Sequence, residues 1–279
     1  MPAVRLETKR VEKPWGRETL WAGFDPVEPG GAKVGEIWFQ HPDGRDTDLL
    51  VKYLFTSQKL SIQVHPDDAQ AQARGYPRGK SEAWVILAAE PDATIAIGTK
   101  EPMTADELRA ASLDGSIDDD MVWHKVKKDD FYYSAAGTVH AIGPGLTLVE
   151  VQQNVDLTYR LYDYGSDREL HLDDGVAVSD AVPYVPPYTP APITDGRIMM
   201  ADSPKFVLER WSLTGEGTLR SDGRPIWLVP LAGDGTIDGE PFLAGGVWMA
   251  DGDTKLTLGA GTDLLVLYTG PGANPTIWG

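Results

Sequence analysis

The 279-residue chain predicts a mainly β fold, a sandwich or barrel with small helical insertions. Three observations carry this. Short segments rich in β-branched and aromatic residues recur between turn residues, helical patterns are scarce, and a proline-rich break is followed by a second set of β-like segments.

In chain order, "LVKYLF", "LSIQVH", "EAWVIL", "ATIAIG", "LTLVEVQQ" and "LTYRLYDY" have the length and composition of strands. "DDAQAQARG" reads as a short helix, with acids in its first turn and Gly75 at its end. "TADELRAAS" is a clearer one, because Thr104 and Glu107 have capping-box spacing and Gly115 offers a stop. At residues 181–192, "AVPYVPPYTPAP" places five prolines in twelve residues, which predicts a semi-rigid extended connector. Beyond it, "FVLERWSL", "PIWLVPL", "TKLTLG" and "DLLVLY" again read as strands. A weak internal repeat aligns Trp84 with Trp227 and sets Pro225 where Glu82 stands, and all five histidines lie in the first half.

Composition excludes several classes. There is no cysteine, so any metal must be held by nitrogen and oxygen ligands, and a reducing compartment suits the chain. A formal net charge of −17 argues against nucleic-acid binding, which needs a basic footprint. The N-terminal segment is too charged for a secretory signal, and no apolar run is long enough to span a bilayer, so no membrane partner and a cytoplasmic location are expected. Oligomeric state is not readable from the sequence.

The chemistry-bearing residues sit on the strands. In "LSIQVHPDD", Gln63 and His65 project from one face and Ile62 and Val64 from the other, with Pro66 biasing His65 toward extended backbone. Alone, this is the wet face of a half-buried strand. "GKSEAWVIL" adds Lys80 and Glu82 on one face, "GTVHAIGPG" adds His140, and "LVEVQQNVDLTYRLYDYG" adds Glu150, Gln152, Asp156, Thr158 and Arg160. Together, Gln63, His65, Glu82 and His140 form a possible nitrogen and oxygen metal set, with Lys80, Glu150, Asp156 and Arg160 as acid, base and anion contacts. His41, His124 and His171 read as ordinary turn, surface and element-edge residues, while Glu36 is open between a sugar contact and a structural ion pair.

"KPWGRETLW", "VGEIWF", "LVKYLFTSQKLSIQVHPDD", "GKSEAW", "AAGTVHAIGPG", "EVQQNVDLTYRLYDYG" and "RELHLD", in this order between Lys13 and Leu172, resemble the successive signature segments of the type I mannose-6-phosphate isomerases of the cupin superfamily. The resemblance implies a bicupin, two jelly-roll β-barrel domains. Residues 1–180 would be the metal-binding catalytic domain, 181–192 the linker, and 193–279 a degenerate cupin-like domain without metal that serves as a packing partner. It implies one zinc ion per chain on Gln63, His65, Glu82 and His140, with Arg160 as catalytic arginine and Lys80, Glu150 and Asp156 at other active-site positions. The implied reaction interconverts mannose 6-phosphate and fructose 6-phosphate through an enediolate. Two departures stand out: the long helical insertion of larger members is absent or reduced to the segment near Thr104, and "DYGSDRELHLD" is a short loop that bears on substrate choice. A non-enzymatic sugar-phosphate-binding regulatory bicupin and, further off, a cupin oxygenase are the competing readings.

Overall fold

The computed structural model describes residues 3–21 and 23–279. Among these residues the chain is mainly β, arranged in four sheets whose strand pairings are antiparallel. A six-stranded sheet runs in the order Glu7–Arg17, Val34–Gln40, Leu49–Phe55, Leu146–Gln153, Glu82–Ala89, Phe131–Ser134. A five-stranded sheet runs Tyr159–Tyr162, Ile62–Val64, His140–Ile142, Thr94–Thr99, Met121–Lys125. A seven-stranded sheet, mostly from the C-terminal half, begins with Val4–Arg5 paired to Trp248–Ala250, so the chain's first described strand belongs with its last third. Gly215–Leu219, Thr254–Leu258, Gly235–Ile237 and Glu240–Phe242 make the fourth. Closed jelly-roll barrels are expected from the resemblance; among the described residues the four sheets are open and cover one another face to face.

Alternation along the strands decides what each face meets. On the six-stranded sheet, Val51, Tyr53, Phe55, Val85 and Val149 join Phe206, Leu208, Trp227, Val229, Leu265 and Leu267 in one core shared by both halves. On its other face, Leu54, Trp84, Ile86 and Leu148 pack with Ile95, Ile97 and Ile142 of the five-stranded sheet. Ile62 and Val64 point away from that space into a layer built with Leu108, Ala111, Ile117 and Val178 from the helices.

Four short helices form this outer layer: α1 (Asp68–Gln72), α2 (Ala105–Asp114), α3 (Ile117–Asp120) and α4 (Leu172–Val178). Both expected helices are present with reciprocal caps, Asp67 with Gln70 and Thr104 with Glu107, and Gly115 ends α2 at φ 86°, where only glycine is unstrained. The other two were not legible: α3 has four residues, and α4 carries Gly175 at its centre, where it lies against Leu161. The proline-rich stretch is extended but tied down. Thr99 N–H donates to the Val182 carbonyl (3.0 Å), Tyr184 Oη donates to the Tyr133 carbonyl (2.9 Å), and Tyr188 meets the Tyr133 ring edge-on at 4.8 Å. Its last two residues open an edge strand, Ala191–Thr194, as proline permits.

Trp84 and Trp227, aligned as a weak repeat, face different cores. The polar centre of the C-terminal half is instead Glu209, fully buried and satisfied by Arg197 (2.8 Å), Trp211 Nε1 (2.7 Å) and Tyr268 Oη (3.1 Å).

The shared core predicts that the halves unfold together. Phe206→Ala should lower stability by about 3–5 kcal/mol in urea titrations, with one transition reported by both near- and far-ultraviolet circular dichroism. Two separated transitions in the parent protein would contradict the shared core.

Candidate functional site

The site lies between the six- and five-stranded sheets, where polar side chains replace the apolar ones that pack elsewhere in that layer. Register brings them together from distant segments. Glu150 stands opposite Lys52 on one neighbouring strand and Trp84 on the other, Gln152 stands opposite Glu82, and Gln63 lies between His140 and Arg160. Residues chosen from separate motifs therefore converge.

His65, Glu82 and His140 are buried with their candidate ligand atoms within 4.8 Å of one another. Glu82 Oε1 lies 3.2 Å from His140 Nε2, Glu82 Oε2 lies 3.6 Å from His65 Nε2, and the Gln63 amide nitrogen is 3.3 Å from His140 Nε2. Each imidazole is held from behind: His65 Nδ1 pairs with the Leu157 carbonyl and His140 Nδ1 with the Thr138 carbonyl, both at 2.9 Å. Such bonds place the proton on Nδ1 and leave the Nε2 lone pairs facing inward, the tautomer a metal requires. Rotating the Gln63 amide by a half-turn exchanges its nitrogen for its oxygen at the same place. Glu82 Oε2 is buried, with the Lys80 ammonium as its nearest charge. Two imidazoles, a carboxylate and an amide fit a divalent cation of zinc type, and no thiolate is needed.

Charges around the set are buried and mutually compensated. Lys80 Nζ lies 2.6 Å from Glu82, 3.2 Å from His65 Nε2 and 3.9 Å from Glu150; Lys52 Nζ lies 3.4 Å from Glu150 and 3.7 Å from Glu36. Burial and the Lys80 ammonium push the His65 imidazolium down to about 3, so this ring is neutral. Burial is the largest single effect and favours a neutral Lys80 and a neutral Glu82, but Glu82, Glu150 and Glu36 together outweigh it for the amine, and Lys80 with the His65 and His140 contacts outweighs it for the carboxylate, so the amine titrates above its ordinary value and the carboxylate well below. Glu150 moves the opposite way, raised by burial and by the neighbouring Glu82 charge.

A cavity of about 130 Å³ opens onto this floor, lined by Gln63, Lys80 and Glu150 below and by Asp156, Arg160 and Arg168 toward the mouth. Asp156 is exposed at the rim, outside any strand. Arg160 donates to the Glu169 carbonyl (2.6 Å) and, among the described residues, has no carboxylate in its hydrogen bonds, whereas Arg168 is gripped bidentately by Asp163 (2.6 and 2.7 Å). Lys52, Trp38 and Arg168 were not singled out from the sequence. Lys52 carried a signal, since it is a lone charge in the apolar run "LLVKYLF", and it lies 4.5 Å over the Trp38 ring. Glu36 accepts from Trp38 Nε1 (2.6 Å) and pairs with Lys13 and Lys52, which overcome its burial and hold it below the usual carboxylate range. His41 sits in a turn against Asp43, His124 lies half-buried on the outermost strand of the five-stranded sheet, and His171 caps α4 beside Arg160; none faces the cavity floor.

No family model matches the chain. It is 33% identical over 264 residues to mannose-6-phosphate isomerase ManA of Bacillus subtilis (strain 168), an alignment covering 86% of this chain and 83% of that one. The fold superposes on the crystal structure of the mannose 6-phosphate isomerase from Bacillus subtilis with a TM-score of 0.81 at 26% identity, covering 96% of this chain and 99% of the other. A zinc-bound holo mannose 6-phosphate isomerase shares the fold with a TM-score of 0.73 at 15% identity, covering 96% of this chain and 100% of that one.

The contact between Arg160 and His171 makes a prediction about the cavity mouth. Burial and the adjacent guanidinium both disfavour the charged imidazole, so His171 should titrate below its ordinary value by nuclear magnetic resonance. Arg160→Ala should move that midpoint upward; an unmoved midpoint would place the guanidinium elsewhere.

Proposed function

The chain belongs to the mannose-6-phosphate isomerase family, and from that premise we propose the division of labour by which its residues interconvert mannose 6-phosphate and fructose 6-phosphate. The protein is an aldose–ketose isomerase, and the buried His65–Glu82–His140 group, directly behind the Gln63 and Lys80 side chains that line a cation-rimmed cavity, is the observation that carries this reading. We read each half as cupin-like, the first carrying the chemistry and the second closing the shared core.

Gln63, His65, Glu82 and His140 would hold one zinc ion per chain. When bound, with one carboxylate and three neutral ligands, it keeps positive charge with which to polarise the sugar oxygens. The reaction moves a proton between adjacent carbons through an enediolate, so the protein must accept a carbon-bound proton and balance the oxyanion that develops. Glu150 is the carboxylate placed for the first task. It is buried at the cavity wall, oriented by Trp84 Nε1 (3.2 Å) and flanked by Lys52 and Lys80. Lys80, with its charge matched by Glu82 and Glu150, sits at the reacting end and fits an anion anchor poorly. Arg160, beside Gln63 in register, stands next to the ligand set and supplies positive charge toward the enediolate. Its neighbour Arg168, paired with Asp163 but keeping part of its guanidinium exposed, adds to a cationic rim facing a phosphate group, and exposed Asp156 lines the same cavity within reach of the sugar.

The competing readings make different demands. A regulatory binder would not need a buried ammonium pinned between two carboxylates. An oxygenase would have no use for a cationic rim.

His65→Ala and Glu82→Ala should each lose bound zinc in elemental analysis while circular dichroism is retained; full occupancy in both would exclude this ligand set. Arg160→Ala should keep its metal and lose ~10²- to 10³-fold in kcat on mannose 6-phosphate, as removal of one preorganised donor does. Lys80→Ala should also act on kcat, and a change confined to KM would make Lys80 an anion anchor instead. Parent protein that turns over free mannose as efficiently as its phosphate would refute the sugar-phosphate reading.

A further inference from the structure

A junction between the two halves lies directly behind Lys80. Asp68, the first residue of α1, accepts through Oδ1 from the Gly79 N–H (2.8 Å) and from Gln153 Nε2 (2.9 Å), and its Oδ2 is met by the ammonium of Lys205 from the C-terminal half. Gln153 passes the constraint on: its Oε1 accepts from Ser81 N–H (3.0 Å) and its own N–H donates to the Ser81 carbonyl (3.1 Å). Lys80 N–H donates to the Pro66 carbonyl (3.0 Å), one residue past His65. The Gly79–Ser81 backbone is thus tied at every residue. It also lies so close to the Pro66–Asp68 backbone that a Cβ at position 79 would approach the Asp67 carbonyl carbon to 2.4 Å.

Lys205 is itself firmly placed. It occupies the turn between the strands Arg197–Asp202 and Phe206–Trp211, where Ser203 Oγ accepts from the N–H groups of Lys205 (3.2 Å) and Phe206 (3.0 Å), and the Gly270 N–H donates to the Lys205 carbonyl (3.1 Å). Phe206 is fully buried in the core shared by the halves.

We propose that Lys205 is a positioning residue for the isomerase reaction: it holds the Asp68 carboxylate, Asp68 holds Gly79 and Gln153, and these fix the direction in which Lys80 enters the site. The proposal rests on the reading of Lys80 and Glu82 as parts of the catalytic floor. The Lys205 and Asp68 side chains keep 29% and 35% of their surface exposed, so the ion pair adds little to global stability. Its effect is local. Without the ammonium, the Asp68 carboxylate turns toward water and releases the two groups that its Oδ1 holds. A small displacement of a group at the reacting centre is amplified in rate.

The test compares Lys205→Ala, Lys205→Arg and the parent protein, all zinc-loaded, in two measurements. The first is amide hydrogen exchange at Gly79 and Ser81 by nuclear magnetic resonance, with the urea midpoint recorded on the same samples; it uses no substrate. Lys205→Ala should exchange these amides faster with an unchanged midpoint, and Lys205→Arg should restore parental exchange. The second is steady-state kinetics on mannose 6-phosphate, where Lys205→Ala should lose ~10-fold in kcat with KM within about twofold, and Lys205→Arg should recover most of it. Parental exchange rates in Lys205→Ala overturn the proposal, as does an unchanged kcat despite faster exchange. A parent protein inactive on mannose 6-phosphate would count against the functional reading alone, because the exchange measurement is independent of it.

Discussion

The central strands of the six-stranded sheet, Leu49–Phe55, Leu146–Gln153 and Glu82–Ala89, are buried on both faces, and the rest of the structure follows from that constraint. Antiparallel sheets commonly leave one face to water. Here one face is covered by the C-terminal half and the other by the five-stranded sheet, so no side chain along its central strands can be satisfied by bulk solvent. Every polar residue on the inner face must find its partner within the protein. Lys52, Lys80, Glu36, Glu82 and Glu150 do so in one continuous chain of opposite charges. Removing one member of such a buried pair typically destabilises by ~3–5 kcal/mol, because the other is left uncompensated.

That cost is the source of the chemistry. A neutral His65, an ionised Glu82 and a charged Lys80 within a few ångströms are held in those states over a wider pH range than open solvent would allow. The same low-polarity space that makes the charges expensive strengthens their action on a bound substrate. The C-terminal half covers the opposite face of the sheet. Its own buried carboxylate, Glu209, is closed off by Arg197, Trp211 and Tyr268, so its polar centre is structural.

Much of this was legible in the sequence because strand alternation is local. Gln63 and His65 against Ile62 and Val64 need only a period of two, and the structure places the latter pair in the helix-covered layer. The caps of α1 and α2 were equally local, each set by a pair of residues three apart. What could not be read depended on pairing between distant strands. Lys52 stands out locally as a lone charge but finds its partner only when register sets it opposite Glu150, 98 positions later in the chain, and Arg168, paired with Asp163, reaches the cavity only in the folded chain. The mainly β class, sandwich or barrel, was legible, but a pattern of short strands does not say whether a sheet closes on itself or covers its neighbour. Residues 117–120 and 172–178 are too short to develop a helical period.

The central claim is that two imidazoles, a carboxylate and an amide from four separate segments surround one zinc ion on the floor of the cavity. X-ray absorption at the zinc edge of the purified, active protein tests this most directly. The account predicts a first shell of nitrogen and oxygen only, at about 2.0–2.2 Å, with the multiple scattering of two imidazole rings, falling to one ring in His140→Ala samples reloaded with zinc. A parent spectrum with fewer than two rings, or a His140→Ala spectrum identical to it, would contradict it.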